Sequence, residues 1–165
     1  MITVITPSFN RSKLLSKAFD SLRQQTTQNF EWIIVDDGSE DNTREQVEGM
    51  SASATFPLYY IYKQNGGKHT AVNIGVTKAQ GELVLILDSD DELPPHAIQD
   101  IEEAYAAVKD DKLYAGVCGY MAHRNGKVIG RPMIDTDTNT IDLRYKLGVC
   151  GDMAEVYRTD LLRKY

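Results

Sequence analysis

Glu82-Leu83-Val84-Leu85-Ile86-Leu87-Asp88-Ser89-Asp90-Asp91 sets an unbroken apolar run directly against a cluster of carboxylates. Entered from Gly81, a run of this length predicts a strand buried on both faces. Side chains alternate along a strand, so Asp88 and Asp90 are expected to point one way and Ser89 the other. Two unpaired carboxylates at one strand end repel each other. A bound cation with oxygen ligands, Mg²⁺ or Mn²⁺, would keep both ionised. The competing reading is that these acids only cap the helix that Pro94 and Pro95 introduce. A calcium loop beginning at Asp88 needs Gly at its sixth position, where the chain has Leu93. An aspartyl phosphotransferase motif needs a small hydroxyl residue beyond Asp90, where Asp91, Glu92 and Leu93 follow.

Outward from this stretch, the chain alternates strand and helix. Ile2–Thr6 is β-branched almost throughout and reads as a central parallel strand stopped by Pro7. Asn10 or Ser12 can cap a helix carrying Leu14, Leu15, Ala18, Phe19 and Leu22 at helical spacing. Phe30–Val35 is a second strand that also runs into acids, Asp36 and Asp37, followed by Gly38-Ser39 and a capping-box-like Asn42-Thr43-Arg44-Glu45. Leu58–Tyr62 is a third strand, and the loop Gln64–His69 opens a helix carrying Ala71, Val72, Ile74, Gly75 and Ala79. With the strand ending at Leu87, this order predicts a right-handed, mostly parallel α/β sheet flanked by helices. A further helix is expected over about Pro95–Val108.

Beyond Leu113 the pattern predicts antiparallel structure. Tyr114–His123 and Lys127–Gly130 read as strands joined at Asn125-Gly126, the strongest hairpin signal in the chain. Asp135–Thr140 reads as a loop, Val149–Tyr157 as a strand and Arg158–Tyr165 as a short basic helix.

The 165 residues, 42% hydrophobic, suit a single domain over 1–165. A formal net charge of -6 gives no electrostatic footprint for nucleic acid or anionic lipid. Cys118 and Cys150 sit in apolar surroundings, too few for a zinc site, and read as reduced core thiols of a cytoplasmic protein. No apolar run approaches the ~20 residues of a membrane span, and Met1 leads directly into strand-like residues, so a soluble chain is expected.

In an open parallel sheet, ligands bind outside the carboxyl ends of the strands. Thr6-Pro7-Ser8, Asp36-Asp37-Gly38-Ser39 and Asp88-Ser89-Asp90-Asp91 all fall at such ends and should share one edge. Together they describe a cleft rich in acceptors. On these residues the chain resembles a known family. Val4–Arg11 (VITPSFNR), Val35–Ser39 (VDDGS), Gly81–Asp91 (GELVLILDSDD) and the Asn73-Ile74-Gly75 helix are similar, in sequence and order, to the nucleotide-sugar-dependent glycosyltransferases of family 2. The resemblance covers roughly 1–110 and implies a GT-A fold. It assigns nucleotide-sugar binding to 1–110 and the start of an acceptor part, incomplete here, to 111–165.

The resemblance further implies metal-dependent, inverting transfer of a sugar from a nucleotide-diphosphate donor, UDP favoured, to a hydroxyl of a saccharide or lipid-linked acceptor, in polysaccharide or glycoconjugate synthesis. Pro7 and Ser8 match the turn beside the base and ribose, and Asp37, with Asp36 beside it, the acid that accepts from the base. A charge-assisted hydrogen bond of this kind suits a uracil-like edge. Asp88 and Asp90 match the metal-binding Asp-x-Asp, Ser89 between them is counted with the nucleotide-binding residues, and Asp91 is an additional ligand or a cap. Lys68 stands where the family often carries a basic residue, which would meet the diphosphate; a solvated lysine is the equal alternative. His69, His96 and His123 show no ligand spacing. Asp152 is a candidate general base, although the family's base is expected beyond Tyr165, in a longer protein that could be peripheral at the membrane. The rival functions are a nucleotide-sugar-binding module without turnover and a nucleotidyltransferase, which would want a glycine-rich basic loop where this chain has Pro7–Arg11.

Overall fold

A computed structural model of the chain describes residues 1–123, 125–130 and 136–164. Asp135 and Tyr165, the ends of the expected loop and terminal helix, lie outside the described residues. The chain divides into two compact units, Met1–Val117 with Val156–Tyr165, and Cys118–Glu155.

The first unit is built on parallel strands. β1 (Ile2–Ser8) lies between β2 (Phe30–Asp36) and β4 (Leu83–Ile86), β3 (Leu58–Tyr62) extends the sheet beyond β2, and all these pairings are parallel. β6 (Met153–Arg158) runs antiparallel to β4, and β5 (Gly116–Tyr120) completes the order β3-β2-β1-β4-β6-β5. The expected mostly parallel α/β sheet with later antiparallel structure is what forms. The chain moves from β1 to β2 and β3 on one side, then crosses to β4 on the other side of β1. This reversal places the carboxyl ends of β1 and β4 next to each other, the geometry that opens a ligand crevice.

Every residue of β1 and β2 is buried, because both sheet faces are covered. On one face, α1 (Ser12–Arg23) lays Phe19 against Trp32, ring centroids 6.1 Å apart, and Phe56 lies 4.7 Å from Phe30. Trp32 Nε1 donates to Thr6 Oγ1 at 2.8 Å, so the buried indole N–H is satisfied. On the other face, α3 (Lys68–Lys78) packs Val76 with Ile5 and Val84, and Ala71 with Ile33 and Val35. At the opposite end of the strands from Asp88, buried Glu31 accepts from Thr3 Oγ1 and from the backbone N–H of Gln80, both at 2.6 Å. α2 (Thr43–Ser51), α4 (Ala97–Ala106) and α6 (Thr159–Leu162) complete the unit.

The backbone of α3 comes so close to β1 that a Cβ on Gly75 would sit 2.6 Å from Ile5 Cγ2. Replacing a mid-helix Gly by Ala ordinarily gains about 1 kcal/mol. Here overpacking of ~1–3 kcal/mol opposes it. Gly75→Ala is therefore expected to leave stability unchanged or lower it by up to ~2 kcal/mol, read by denaturant unfolding. A gain of the ordinary helical size would show that Ile5 yields freely.

Several expectations are corrected. β4 ends at Ile86, whose side chain is exposed, and Asp88 to Asp90 form a turn closed by Asp91 N donating to Asp88 O at 3.0 Å. Strand alternation therefore does not set the directions of Asp88 and Asp90; the turn does. In the second unit, the Asn125-Gly126 turn forms, with Gly126 N donating to His123 O at 2.8 Å, but the expected return strand is reduced to an isolated bridge between Ala122 and Val128. The helix α5 (Thr140–Tyr145) was not anticipated; Asn139 caps it by accepting from Asp142 N. Cys118 and Cys150 are free thiols but exposed, not core residues, because this small unit buries little of its own surface.

Candidate functional site

Pro7, Ser8, Phe9, Arg11, Asp37, Lys68, Asp88, Ser89 and Asp90 line one cleft of about 220 Å³ in the first unit. Its walls are the carboxyl ends of β1, β2 and β4, with Lys68 supplied by the start of α3. Pro7, Ser8, Asp37, Lys68, Asp88, Ser89 and Asp90 were all expected at such a site from the sequence. Phe9 and Arg11 were not; they directly follow Pro7-Ser8 at the end of β1, and that position alone was the available signal. The cleft is smaller than the ~300–1,000 Å³ of pockets that enclose a whole ligand.

Asp37 is the most tightly held acid of the cleft lining. Its Oδ1 accepts from Lys63 Nζ and from Gly66 N at 3.0 Å, and its Oδ2 accepts from Gly67 N at 2.7 Å. The loop of residues 64–67 closes over it because Gly38 has φ +86° and no side chain, and a Cβ there would meet Asn65 N at 2.8 Å. Burial pushes the Asp37 carboxyl upward, but the bonds from Lys63, Gly66 and Gly67 outweigh burial and hold it below its ordinary 3.8. A depressed folded pKa contributes stability that is full above the unfolded value and is lost as pH falls through the folded one. Asp37 should therefore add an acid-labile component that begins to disappear near pH 4, a range taken from that ordinary value. Melting curves of wild type and Asp37→Asn should converge as pH falls below it; curves that stay parallel would contradict this account.

Asp36 lies outside the cleft lining. Its carboxylate accepts from Ser39 N at 2.8 Å and from Tyr60 Oη at 2.5 Å, so it organises the turn that carries Asp37. Burial, with the Asp36 bond and charge, pushes the Tyr60 phenol upward. Asp91 is likewise not among the lining residues, and Asp152 belongs to the second unit, exposed, with its carbonyl accepting from Met121 N at 3.4 Å.

The premise that Asp88 and Asp90 are unpaired does not hold. Lys68 Nζ lies 2.6 Å from Asp88 Oδ1 and 2.7 Å from Oδ2, and Arg11 Nη1 lies 3.3 Å from Asp90 Oδ2. Two protein cations already balance the two carboxylates. Among the described residues no group of three or more His, Cys, Asp or Glu side chains gathers as a metal cage. Mg²⁺ and Mn²⁺ favour oxygen donors, and Mg²⁺ is usually held by one or two carboxylates with waters and phosphate oxygens completing its shell. Asp88 and Asp90 fit a cation shared in that way with a phosphate-bearing ligand.

Ser8 adds a separate observation. It is buried at the cleft wall, and its Oγ is the one buried side-chain polar atom without a partner among the described residues. An unsatisfied buried hydroxyl costs about 1–3 kcal/mol, so a ligand that supplies a partner gains there.

Comparison with known proteins places this arrangement. The family model described as "Glycosyl transferase family 2" matches residues 3–165. A glycosyltransferase of Nostoc sp. is 35% identical over 141 residues, covering 86% of this chain and 39% of the relative. A Campylobacter jejuni GalNAc(5)-diNAcBac-PP-undecaprenol beta-1,3-glucosyltransferase is 39% identical over 116 residues, covering 65% and 36%. The chain thus spans about two fifths or less of these relatives' lengths. Among solved structures, S. aureus TarS 1-349 in complex with UDP aligns with TM-score 0.73 and 25% identity over 99% of this chain and 48% of that one. A mannosyltransferase of Pyrobaculum calidifontis, solved with GDP-Man and Mn²⁺, aligns with TM-score 0.69 at 19% identity, covering 99% and 46%, and speaks to the fold alone. The fold is that of the GT-A glycosyltransferases.

Proposed function

This chain belongs to glycosyl transferase family 2, and from that premise we propose that its cleft binds a nucleotide-sugar donor, UDP-linked by preference, for transfer of the sugar to an acceptor hydroxyl. The observation that carries the proposal is the convergence of three strand ends on one cleft, with a buried acid at one side and two acid–base pairs at the other. The S. aureus relative solved with UDP supports the choice of nucleotide.

Asp37 receives the base. Three of the roughly four acceptor positions of a carboxylate are taken by the chain, two on Oδ1 and one on Oδ2. What remains on Oδ2 suits a single ring N–H, as on a uracil edge. Pro7 and Ser8 form the wall beside base and ribose, where the Ser8 hydroxyl meets a polar group of the nucleoside. Lys68, Arg11 and Ser89 face the diphosphate, and Asp88 and Asp90 hold a divalent cation, Mn²⁺ or Mg²⁺, with Asp91 an outer candidate. When bound, the cation offsets charge developing on the leaving diphosphate.

The reaction is written as inverting. The acceptor oxygen forms a bond to the sugar's anomeric carbon as the bond to the diphosphate breaks, and the acceptor proton passes to a carboxylate base. In this reading Asp37 serves the nucleobase and Asp88 and Asp90 the cation, so the carboxylate that takes the acceptor proton is none of these three. Polysaccharide or glycoconjugate synthesis is the accordant role, and no helix among the described residues is long and apolar enough to cross a membrane.

Calorimetric titration of the folded chain with UDP and with GDP, each with Mn²⁺, tests the donor assignment. UDP is expected to bind more tightly; binding of neither nucleotide would overturn the proposal.

A further inference from the structure

We propose, resting on the donor reading above, that Lys68 and Arg11 are exchangeable counter-ions that make cation binding and nucleotide binding at this cleft depend on each other. Lys68 contacts both carboxylate oxygens of Asp88, and Arg11 contacts Asp90 Oδ2. These are the same oxygens that a divalent cation would need. An ammonium 2.6 Å from Asp88 Oδ1 occupies the place where a metal would sit about 2.0–2.1 Å away. Cation and ammonium cannot both hold that carboxylate without like-charge repulsion. The free protein therefore disfavours a metal on its own.

The pairs are also built to open. The Lys68 and Arg11 side chains are 59% and 47% exposed, and they come from different elements, the first residue of α3 and the residue before α1. Arg11 also lines the neighbouring cavity formed by Asn10, Ser12, Lys13, Asp41 and Asn42, which gives its guanidinium room to turn. A diphosphate supplies what both sides of each pair lack. Its oxygens take the ammonium and the guanidinium, whose planar fork suits phosphate, while the released carboxylates and the same phosphate oxygens hold the cation. Each ligand then removes an obstacle to the other. By linkage the two affinities must rise by the same factor.

Electron paramagnetic resonance of free Mn²⁺ measures this without any turnover. In wild type, saturating UDP is expected to tighten Mn²⁺ binding at least about tenfold, within the usual range of coupling. Lys68→Met should bind Mn²⁺ alone about threefold more tightly than wild type and should show a correspondingly smaller UDP effect. Lys17→Met, which removes an exposed cation from α1 outside the cleft, should behave like wild type. Arg11→Met gives the same reading at Asp90 if Lys68→Met fails to fold. Wild-type binding of both ligands with no coupling, or coupling unaltered in both Met variants, would overturn the exchange and leave the donor site standing. No binding of UDP by folded wild type would overturn the donor reading itself.

Discussion

Asp90→Asn is expected to remove most of the extra thermal stabilisation that Mn²⁺ adds to UDP. A ligand that binds only the folded state at 100 times its dissociation constant stabilises it by about 2.7 kcal/mol. For a chain of this size that is a rise of roughly 5–11 °C. If loss of one anionic ligand weakens the metal-dependent site about a hundredfold, the same concentrations leave roughly 0.4 kcal/mol, about 1 °C. The substitution keeps the side chain's size and removes its charge. Asp90 is more than half exposed, so the unliganded protein should melt within about 0.5 kcal/mol of wild type. Melting scans of both proteins with UDP, with and without Mn²⁺, decide the matter. An undiminished Mn²⁺ increment in the variant would take Asp90 out of the metal assignment and leave it as the partner of Arg11.

The parallel half of the fold was legible because β1 and β2, and β4 as far as Leu85, are buried on both faces. Such strands are near-continuously apolar, and Leu83–Leu87 is so throughout, while Ile2–Thr6 is broken only by Thr3 and Thr6 and Phe30–Val35 only by Glu31. The second unit had no comparable signal. β5 and β6, which lead into and out of it, are short and only partly buried, so alternation is weak, and a hairpin turn at Asn125-Gly126 did not guarantee the strand after it. The six-residue helix α5 is too short to show a periodic face and is announced only by its cap, Asn139. The exposed cysteines were misread for a related reason: an apolar neighbourhood in sequence does not bury a side chain where the unit is small.

At the site, the residue set was legible but its electrostatics were not. Strand ends bring Ser8, Asp37 and Asp88 together by topology alone, and topology follows from the order of apolar runs. Which cation sits on which acid depends on loops. Lys63 and Lys68 flank one glycine-containing loop, yet the first turns to Asp37 and the second to Asp88. Arg11 reaches Asp90 across a sequence separation of 79. No spacing rule finds such a pair. Two adjacent carboxylates therefore do not by themselves require a metal to stay ionised, because Arg11 and Lys68 of the protein balance them.

Asp37 permits the complementary experiment at the other end of the nucleotide. Asp37→Ala is expected to weaken UDP binding by about 1.5–3 kcal/mol, the worth of a hydrogen bond to a charged group, or roughly ten- to a hundredfold. The loss should be the same with Mn²⁺ or with chelator, because the substitution leaves Asp88 and Asp90 untouched. The variant also frees Lys63 and the Gly66 and Gly67 amides, so some of the loss could come from a relaxed loop and not from the missing base contact. Nucleobase choice separates these causes. A relaxed loop weakens UDP and GDP alike, whereas a lost base contact weakens UDP more and narrows the preference between them. Calorimetry with both nucleotides thus has three readable outcomes. A metal-independent loss with a narrowed preference supports the base contact, an equal loss for both nucleotides reduces Asp37 to a loop anchor, and an unchanged affinity returns it to turn formation alone.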